Sequence, residues 1–583
     1  MRRILRVGFP ATALILVVAS VLSAQSSSTW AARFNLPRTL DARATGAAIT
    51  QDDLKSRLYP FADDSMGGRL LGEEGNSKGV EYIAAEIRKM GLEPAGDSGT
   101  FFQTVPVFIR IFDSTSTLAL PGEALKPWVD FIPRDQGGGT RSISGVSVIY
   151  GGSWGDSSSL ISGEAAAGKV VLLSAIPAGY NQGSPGGVPR SVVTSRFREA
   201  AGILVASMDA MSAEDIAGYN QGSQGVREDN PSPVPAFLYI TSRVATSILM
   251  TPLSSATRGQ GGRQLSGSMR FVERPLRFPA RNVVGIIRGS DTNLRNEFVA
   301  IGAHNDHVGT RATPVAHDSM YVVNHLYRKS GADDPPVQVN GEQASEVNRR
   351  LASIRRATGG QSARPDSIYN GADDDGSGSV GVLEIAQYFA AQRVKPKRSL
   401  LFVWHVGEEA GLYGSQYFTD HPTVSRDAIV TQLNIDMIGR GASDDVAGMK
   451  KEGGVVMGNA NYVQVIGSRR LSTELGNLAE AVNRAQSRPL SFDYTLDANG
   501  HPQNIYCRSD HYEYARYGIP IIFFTTGGHA DYHQVTDETQ YINFSRLQRV
   551  SQFVANLAAR VANLDHRIVV DQPKPDPHGG CQQ

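Results

Sequence analysis

The chain has 583 residues, 41% of them hydrophobic, with 57 basic and 57 acidic side chains. That length exceeds one ordinary core and that apolar fraction excludes a wholly disordered chain, so two or more compact units are expected. The balanced charge gives no overall pull toward nucleic acid or an anionic membrane, and 2 cysteines are too few for a disulfide-built scaffold.

Arg2, Arg3 and Arg6 precede an apolar run from Ala13 to Val21, then Ser23-Ala24 and a polar stretch. That order is expected of a cleavable export signal over 1–24. The run is shorter than the roughly 20 residues that cross a bilayer. The mature chain is therefore expected in the periplasm or outside the cell, with no stable membrane insertion after cleavage. Export permits a Cys507–Cys581 bridge; two free thiols are the alternative.

Val80, Ile83, Ile87 and Met90 recur on one face of a helix, with Asn76 as a possible N-cap and Gly91 as its C-terminal glycine. This helix falls in the first part of a principal domain, over 25–115. The texture then changes to Gly, Ser and short apolar runs at Val146–Tyr150, Val170–Leu173, Gly202–Ala206 and Val234–Tyr239, which predicts a mainly β insert over 116–275.

From 276 to 563 strand-like runs at Val283–Ile287, Phe298–Ala303, Leu400–Val406, Gln432–Met437 and Ile519–Thr525 alternate with helical periods such as Val380, Leu383, Ala386 and Phe389. The alternation predicts an α/β unit with a mostly parallel, mixed central sheet flanked by helices. In such sheets ligands bind beyond the carboxyl ends of the strands. A polar excursion over 310–369 interrupts the pattern and is expected near the mouth of a site, as a lid or a surface loop. Residues 564–583 read as a flexible tail.

Histidine and carboxylates concentrate directly after apolar runs in five segments: Ala303–His307, Gly371–Gly376, Gly407–Glu409, Asn434–Met437 and Asp531–His533. Carboxylates in such settings are costly to bury without a cation or hydrogen bonds. Imidazole with carboxylate suits zinc, whereas an all-oxygen set would point to calcium or magnesium. A bridging carboxylate lets five side chains serve two ions, which would polarise a carbonyl and activate water. An unligated carboxylate must then move the proton, and Glu408-Glu409 offers both roles. Asp373–Asp375 as a calcium loop lacks the downstream Glu. Gly376-Ser377-Gly378-Ser379 is not a serine-nucleophile elbow. His307, His317, His325, His405, His501, His511 and His529 stay outside the expected ligand set, with His307 and His529 as pocket-lining candidates.

In this order the motifs resemble the exported zinc aminopeptidase family, whose peptidase domain is shared with glutamate carboxypeptidase and the transferrin receptor. Gly68-Arg69-Leu70, Ser509-Asp510-His511 and Tyr517–Pro520 extend the likeness. The resemblance implies two Zn2+ ions per chain, one on His304, Asp374 and Asp436 and one on Asp374, Glu409 and His533. It implies a bridging Asp374 followed by a cis peptide, Glu408 as proton shuttle, Asp306 as the carboxylate that orients His304, and Tyr532 as an oxyanion contact. Ala167–Leu172 and Arg198–Val205 resemble a protease-associated domain in the insert. The expected activity is removal of single residues from the amino end of peptide substrates. A carboxypeptidase or amidohydrolase, a single-zinc glutaminyl cyclase and a metal-free binding protein are the alternatives. Side-chain specificity and oligomeric state are not legible in spacing.

Overall fold

The computed structural model describes residues 34, 36–41, 43, 45–134, 143–154, 157–174, 190–227, 234–359 and 364–583; the export signal expected over 1–24 lies outside them. Two compact units divide these residues. One comprises the chain up to Thr104 together with Arg281–Gln583, and the other is Val105–Ala280. Among the described residues no helix is long and apolar enough to cross a membrane.

In the first unit the early helix α1 spans Glu74–Lys89. Gly91 takes the left-handed φ of 77° that its helix-ending position requires. Asn76 is not the N-cap: it lies inside the first turn, buried, and its Nδ2 donates to Asn305 Oδ1 at 2.8 Å. A tertiary partner outcompetes the local cap. The strands that follow are β1 (Ala280–Ile287) and β2 (Phe298–His304). Next come β3 (Thr310–Ala316), α2 (His317–Tyr327), α3 (Gly341–Ala357) and β4 (Pro365–Ile368), which build the excursion. Then follow α4 (Gly378–Ala390), β5 (Ser399–His405), β6 (Ile429–Ile435), β7 (Tyr462–Ile466), β8 (Ile521–Thr525) and α5 (Phe544–Ala562).

The central sheet has nine strands and contains the order β1-β5-β2-β6-β8-β7. β5, β2, β6 and β8 run parallel, while β1 and β7 join antiparallel on either side. β5 shows why the sheet is covered on both faces. Leu400, Phe402 and Trp404 enter one core with residues of α1, α4 and α5, while Leu401 and Val403 enter the other with Tyr512 and Tyr514. Alternation with period two sends each neighbour to the opposite layer. The carboxyl ends of β2, β5, β6 and β8 therefore open at one edge, followed by Asn305–His307, Val406–Glu409, Asp436 and Thr526–His533.

The tail is held down rather than loose. Cys507 and Cys581 form a disulfide, with Cα atoms 5.8 Å apart. Gln583 Nε2 donates to Leu496 O at 2.6 Å and Arg516 donates to Pro577 O at 2.9 Å.

The second unit has an eight-stranded sheet in which Ile143–Ser153, Val170–Ser174, Gly202–Ala206 and Ala236–Ile240 are parallel neighbours. Its boundaries are wider than the expected 116–275. The strand Val107–Phe112 pairs with Ser223–Val226 and Phe271–Pro275 in a separate three-stranded sheet, which draws the preceding chain into this unit.

Candidate metal centre

β2 delivers His304 as its last residue, and the backbone turns outward through Asn305, Asp306 and His307, all buried. The imidazole Nδ1 of His304 lies 3.1 Å from the carbonyl oxygen of Asp306, which fixes Nδ1 as the N–H donor and turns the Nε2 lone pair inward. The Asp306 carboxylate is farther, at 3.7 Å, and instead accepts from the Glu408 backbone N–H at 3.2 Å. Asp306 therefore reaches His304 through its backbone, and its side chain ties the turn after β2 to the turn after β5.

The Gly371–Gly378 segment is shaped by contacts that exclude side chains. Gly371 has φ 55°, and a Cβ there would lie 2.3 Å from Asp374 O and 2.5 Å from His307 Cδ2. A Cβ on Gly378 would lie 2.3 Å from both Asp375 Oδ1 and Ile435 O. The Asp374–Asp375 peptide is cis, as the resemblance implies. The two carboxylates then part. Asp375 turns into the scaffold and accepts from the N–H groups of His304 (3.1 Å), Gly378 (2.9 Å) and Met437 (3.2 Å). Asp374 turns into the cleft.

There Asp374 Oδ1 faces His304 Nε2 at 3.2 Å, and its Oδ2 faces His533 Nε2 at 2.9 Å. His304 Nε2 is also 3.7 Å from Asp436 Oδ1, and His533 Nε2 is 2.9 Å from Glu409 Oε2. Asp436 is held from behind: Ser509 Oγ donates to its Oδ2 at 2.8 Å. His304 Nε2, Asp436 Oδ1 and His533 Nε2 are buried and have no hydrogen-bond partner. Inward-facing donor atoms left without partners in a protein interior fit a bound cation. Burial alone would raise the Asp374 carboxyl and lower both imidazoles. Their mutual pairing overrides this, holding Asp374 well below the usual carboxylate range and His304 and His533 well above the usual imidazole range.

Glu408 lines the same cavity of about 80 Å3. Burial, only partly offset by His304, and the charges of Glu409 and Asp436 push its carboxyl well above the usual range. Met437, Leu496, Ile505 and Phe523 form the apolar wall, while Asp333, Arg508 and Tyr532 bring polar groups to it. Tyr532 stacks on the His533 ring at 4.0 Å, and Arg508 donates to its hydroxyl at 3.3 Å. Met437 and His533 adopt left-handed φ of 55° and 51°, conformations that side-chain-bearing residues hold only when their surroundings compel it.

All eight residues singled out as site residues line this region or border it, and the structure gives roles to others, among them His307, expected only to line the pocket, and Arg69, quoted only as part of the likeness. His307 Nδ1 lies 2.7 Å from Glu409 Oε1 and joins Asp374, Glu409 and His533 in one group; its spacing of three from His304 was the available signal. Arg69 is fully buried and donates to Asn370 O at 2.7 Å and Gly371 O at 2.8 Å, tethering the acidic loop. Burial pulls its guanidinium down to about 10. Asp537 accepts from the N–H groups of Asp373 (3.0 Å) and Asp374 (3.1 Å), binding the loop of His533 to the loop of Asp374. The acidic run Asp373–Asp375 marked Asp375 in the sequence without showing its role, and no pattern marks Asp537; both act on backbone groups.

Residues 282–558 match the model of peptidase family M28. The vacuolar membrane protease of Verticillium alfalfae is 29% identical over 212 residues, which cover 35% of this chain and 19% of that protein. Leucine aminopeptidase 1 of Paracoccidioides brasiliensis is 28% identical over 233 residues, 38% of this chain and 52% of that protein. The chain thus spans about half the length of the second relative and less of the first. The solved aminopeptidase from Aneurinibacillus sp. strain AM-1 aligns over 91% of this chain and 99% of its own, at 15% identity and a TM-score of 0.45.

Proposed function

With residues 282–558 matching the model of peptidase family M28, we propose that this protein is a two-zinc exopeptidase that removes single residues from the amino end of peptides. One observation carries the reading: the two oxygens of Asp374 face different imidazoles, His304 at 3.2 Å and His533 at 2.9 Å. A carboxylate so placed could be shared by two ions, one that would be held by His304, Asp374 and Asp436 and another that would be held by Asp374, Glu409 and His533. His307 holds Glu409 by Oε1 at 2.7 Å, which leaves Oε2 turned to His533.

Bound zinc lowers the pKa of water and polarises the scissile carbonyl. The remaining work falls to side chains. Glu408, unligated and facing the cavity, takes a proton from the attacking water and returns it to the leaving amine. Tyr532, braced by Arg508, offers a hydroxyl to the oxyanion. The wall of Met437, Leu496, Ile505 and Phe523 takes the apolar side chain of the terminal residue. The Cys507–Cys581 disulfide supports export to an oxidising compartment. The insert, with its parallel strands Val170–Ser174 and Gly202–Ala206, is read as a protease-associated-like unit.

The relative named leucine aminopeptidase 1 favours the amino end. Arg508 on the cavity favours a second reading, because a guanidinium is a natural anchor for a terminal carboxylate; its pairing with Asp333 at 3.3 Å weighs against this. Kinetics on matched peptides with free, N-acetylated and C-amidated ends separate the two. N-acetylation abolishes turnover and C-amidation spares it in the aminopeptidase reading. The reverse pattern establishes the carboxypeptidase.

A further inference from the structure

A second buried group of histidine and carboxylates lies away from the cleft. His317 begins α2, Asp366 lies on β4, and Glu538 follows the His533 loop; they are 2%, 6% and 5% exposed. One ligand atom from each lies within 4.8 Å of the others. His317 Nδ1 is 3.3 Å from Asp318 Oδ1, which turns the Nε2 edge toward Asp366 and Glu538. Nε2 is buried without a hydrogen-bond partner and stands 3.7 Å from Glu538 Oε2.

That separation is too long for a hydrogen bond. It is close to what two ligands of one ion require, since donors about 2.0–2.2 Å from zinc at tetrahedral angles lie roughly 3.3–3.6 Å apart. The proposed catalytic cluster supplies an internal standard: His304 Nε2 and Asp436 Oδ1 are also 3.7 Å apart. The ring is fixed in place, with Tyr541 stacked at 6.2 Å and Phe34 edge-on at 6.4 Å. Arg364 pairs with Asp366 Oδ2 at 2.9 Å and with Glu538 Oε1, and Gln540 Nε2 donates to Glu538 Oε2 at 2.9 Å. Asp366 Oδ1 accepts from the Ile368 N–H at 3.1 Å; a carboxylate oxygen has two lone pairs, so each of these oxygens keeps one with which to accept a cation.

From this geometry we propose that His317, Asp366 and Glu538 form a separate site for a divalent cation of the zinc class, which fastens the 310–369 excursion to the segment after His533. One imidazole and two carboxylates suit zinc, whereas calcium would demand six to eight oxygens. The fastening has a consequence at the cleft. The excursion brings Asp333 to the cavity wall, and Ala332 N–H donates to Tyr532 O at 3.0 Å. The cation therefore sets the reach of the excursion without contacting substrate.

The test is the zinc content of intact protein. Wild type and His317→Gln are saturated with zinc, gel-filtered and compared by plasma mass spectrometry, with circular dichroism confirming the fold. Wild type is expected to retain one more zinc per chain than the variant, and the variant still to hydrolyse peptide. The difference of one reads this site whatever number the His304–His533 cluster holds, so failure of the peptidase reading shows separately, as a lower count common to both proteins. Equal counts in two folded proteins overturn the proposal and leave a proton on His317 in place of the cation. If His317→Gln does not fold, Asp366→Asn is compared with wild type in the same way, with the same expected difference and the same contrary result.

Discussion

The two units contain sheets with parallel centres and buried strands, yet they differ at the strand ends. In the second unit the parallel strands end at Ser153, Ser174, Ala206 and Ile240. In the first unit, β2 ends at His304, β5 leads to Glu408 and Glu409, and β6 leads to Asp436. All three groupings of metal-competent side chains among the described residues lie in the first unit. Architecture supplies an edge where loops gather, and the residues placed there decide whether it does chemistry.

Substitutions in the two units are expected to separate function from stability. Glu408→Gln is expected to give the largest effect, lowering kcat by about 100- to 10,000-fold with zinc content and unfolding curve unchanged, since it removes only the proton carrier. Leu204→Ala in the core of the second unit gives the converse. That unit is expected to lose about 2–5 kcal/mol of stability in denaturant unfolding, while zinc content stays the same. His307→Ala frees Glu409 and is expected to weaken zinc affinity by about 10- to 100-fold in competition with a chelator.

The smallest effect belongs to His511, buried and stacked at 4.6 Å on Phe523. Burial lowers its imidazole to about 3 from an ordinary 6.5. Between those values the unfolded chain binds more protons than the folded one, so stability is full above pH 6.5 and falls as pH drops through the window. Acidifying to pH 5 is expected to cost about 2 kcal/mol through this residue. His511→Phe should flatten that part of the pH–stability curve in calorimetry.

The sheet and the principal site were legible because chemistry-bearing residues follow apolar runs immediately, so one stretch of sequence encodes both the strand and what stands at its end. His304, Glu408, Glu409 and Asp436 are of this kind, whereas Asp374 stands in the turn before α4 and His533 eight residues beyond the end of β8. Contacts made across the fold left no such trace. Asn76 resembles a cap but bonds Asn305, Arg69 tethers carbonyls far along the chain, and Asp375 and Asp537 bind backbone N–H groups. His317, Asp366 and Glu538 come together only when the excursion folds back, so no spacing announces them. The boundary at Val105 was missed for a related reason, because Val107–Phe112 finds its partners more than a hundred residues later in the sequence.

The bridged pair on Asp374 is tested most directly by anomalous scattering at the zinc edge from crystals of the zinc-loaded protein. Two peaks are expected in the cleft, one among His304, Asp374 and Asp436 and the other among Asp374, Glu409 and His533, each within about 2.0–2.3 Å of its ligand atoms. A single cleft peak, or two that do not share Asp374, would contradict the account.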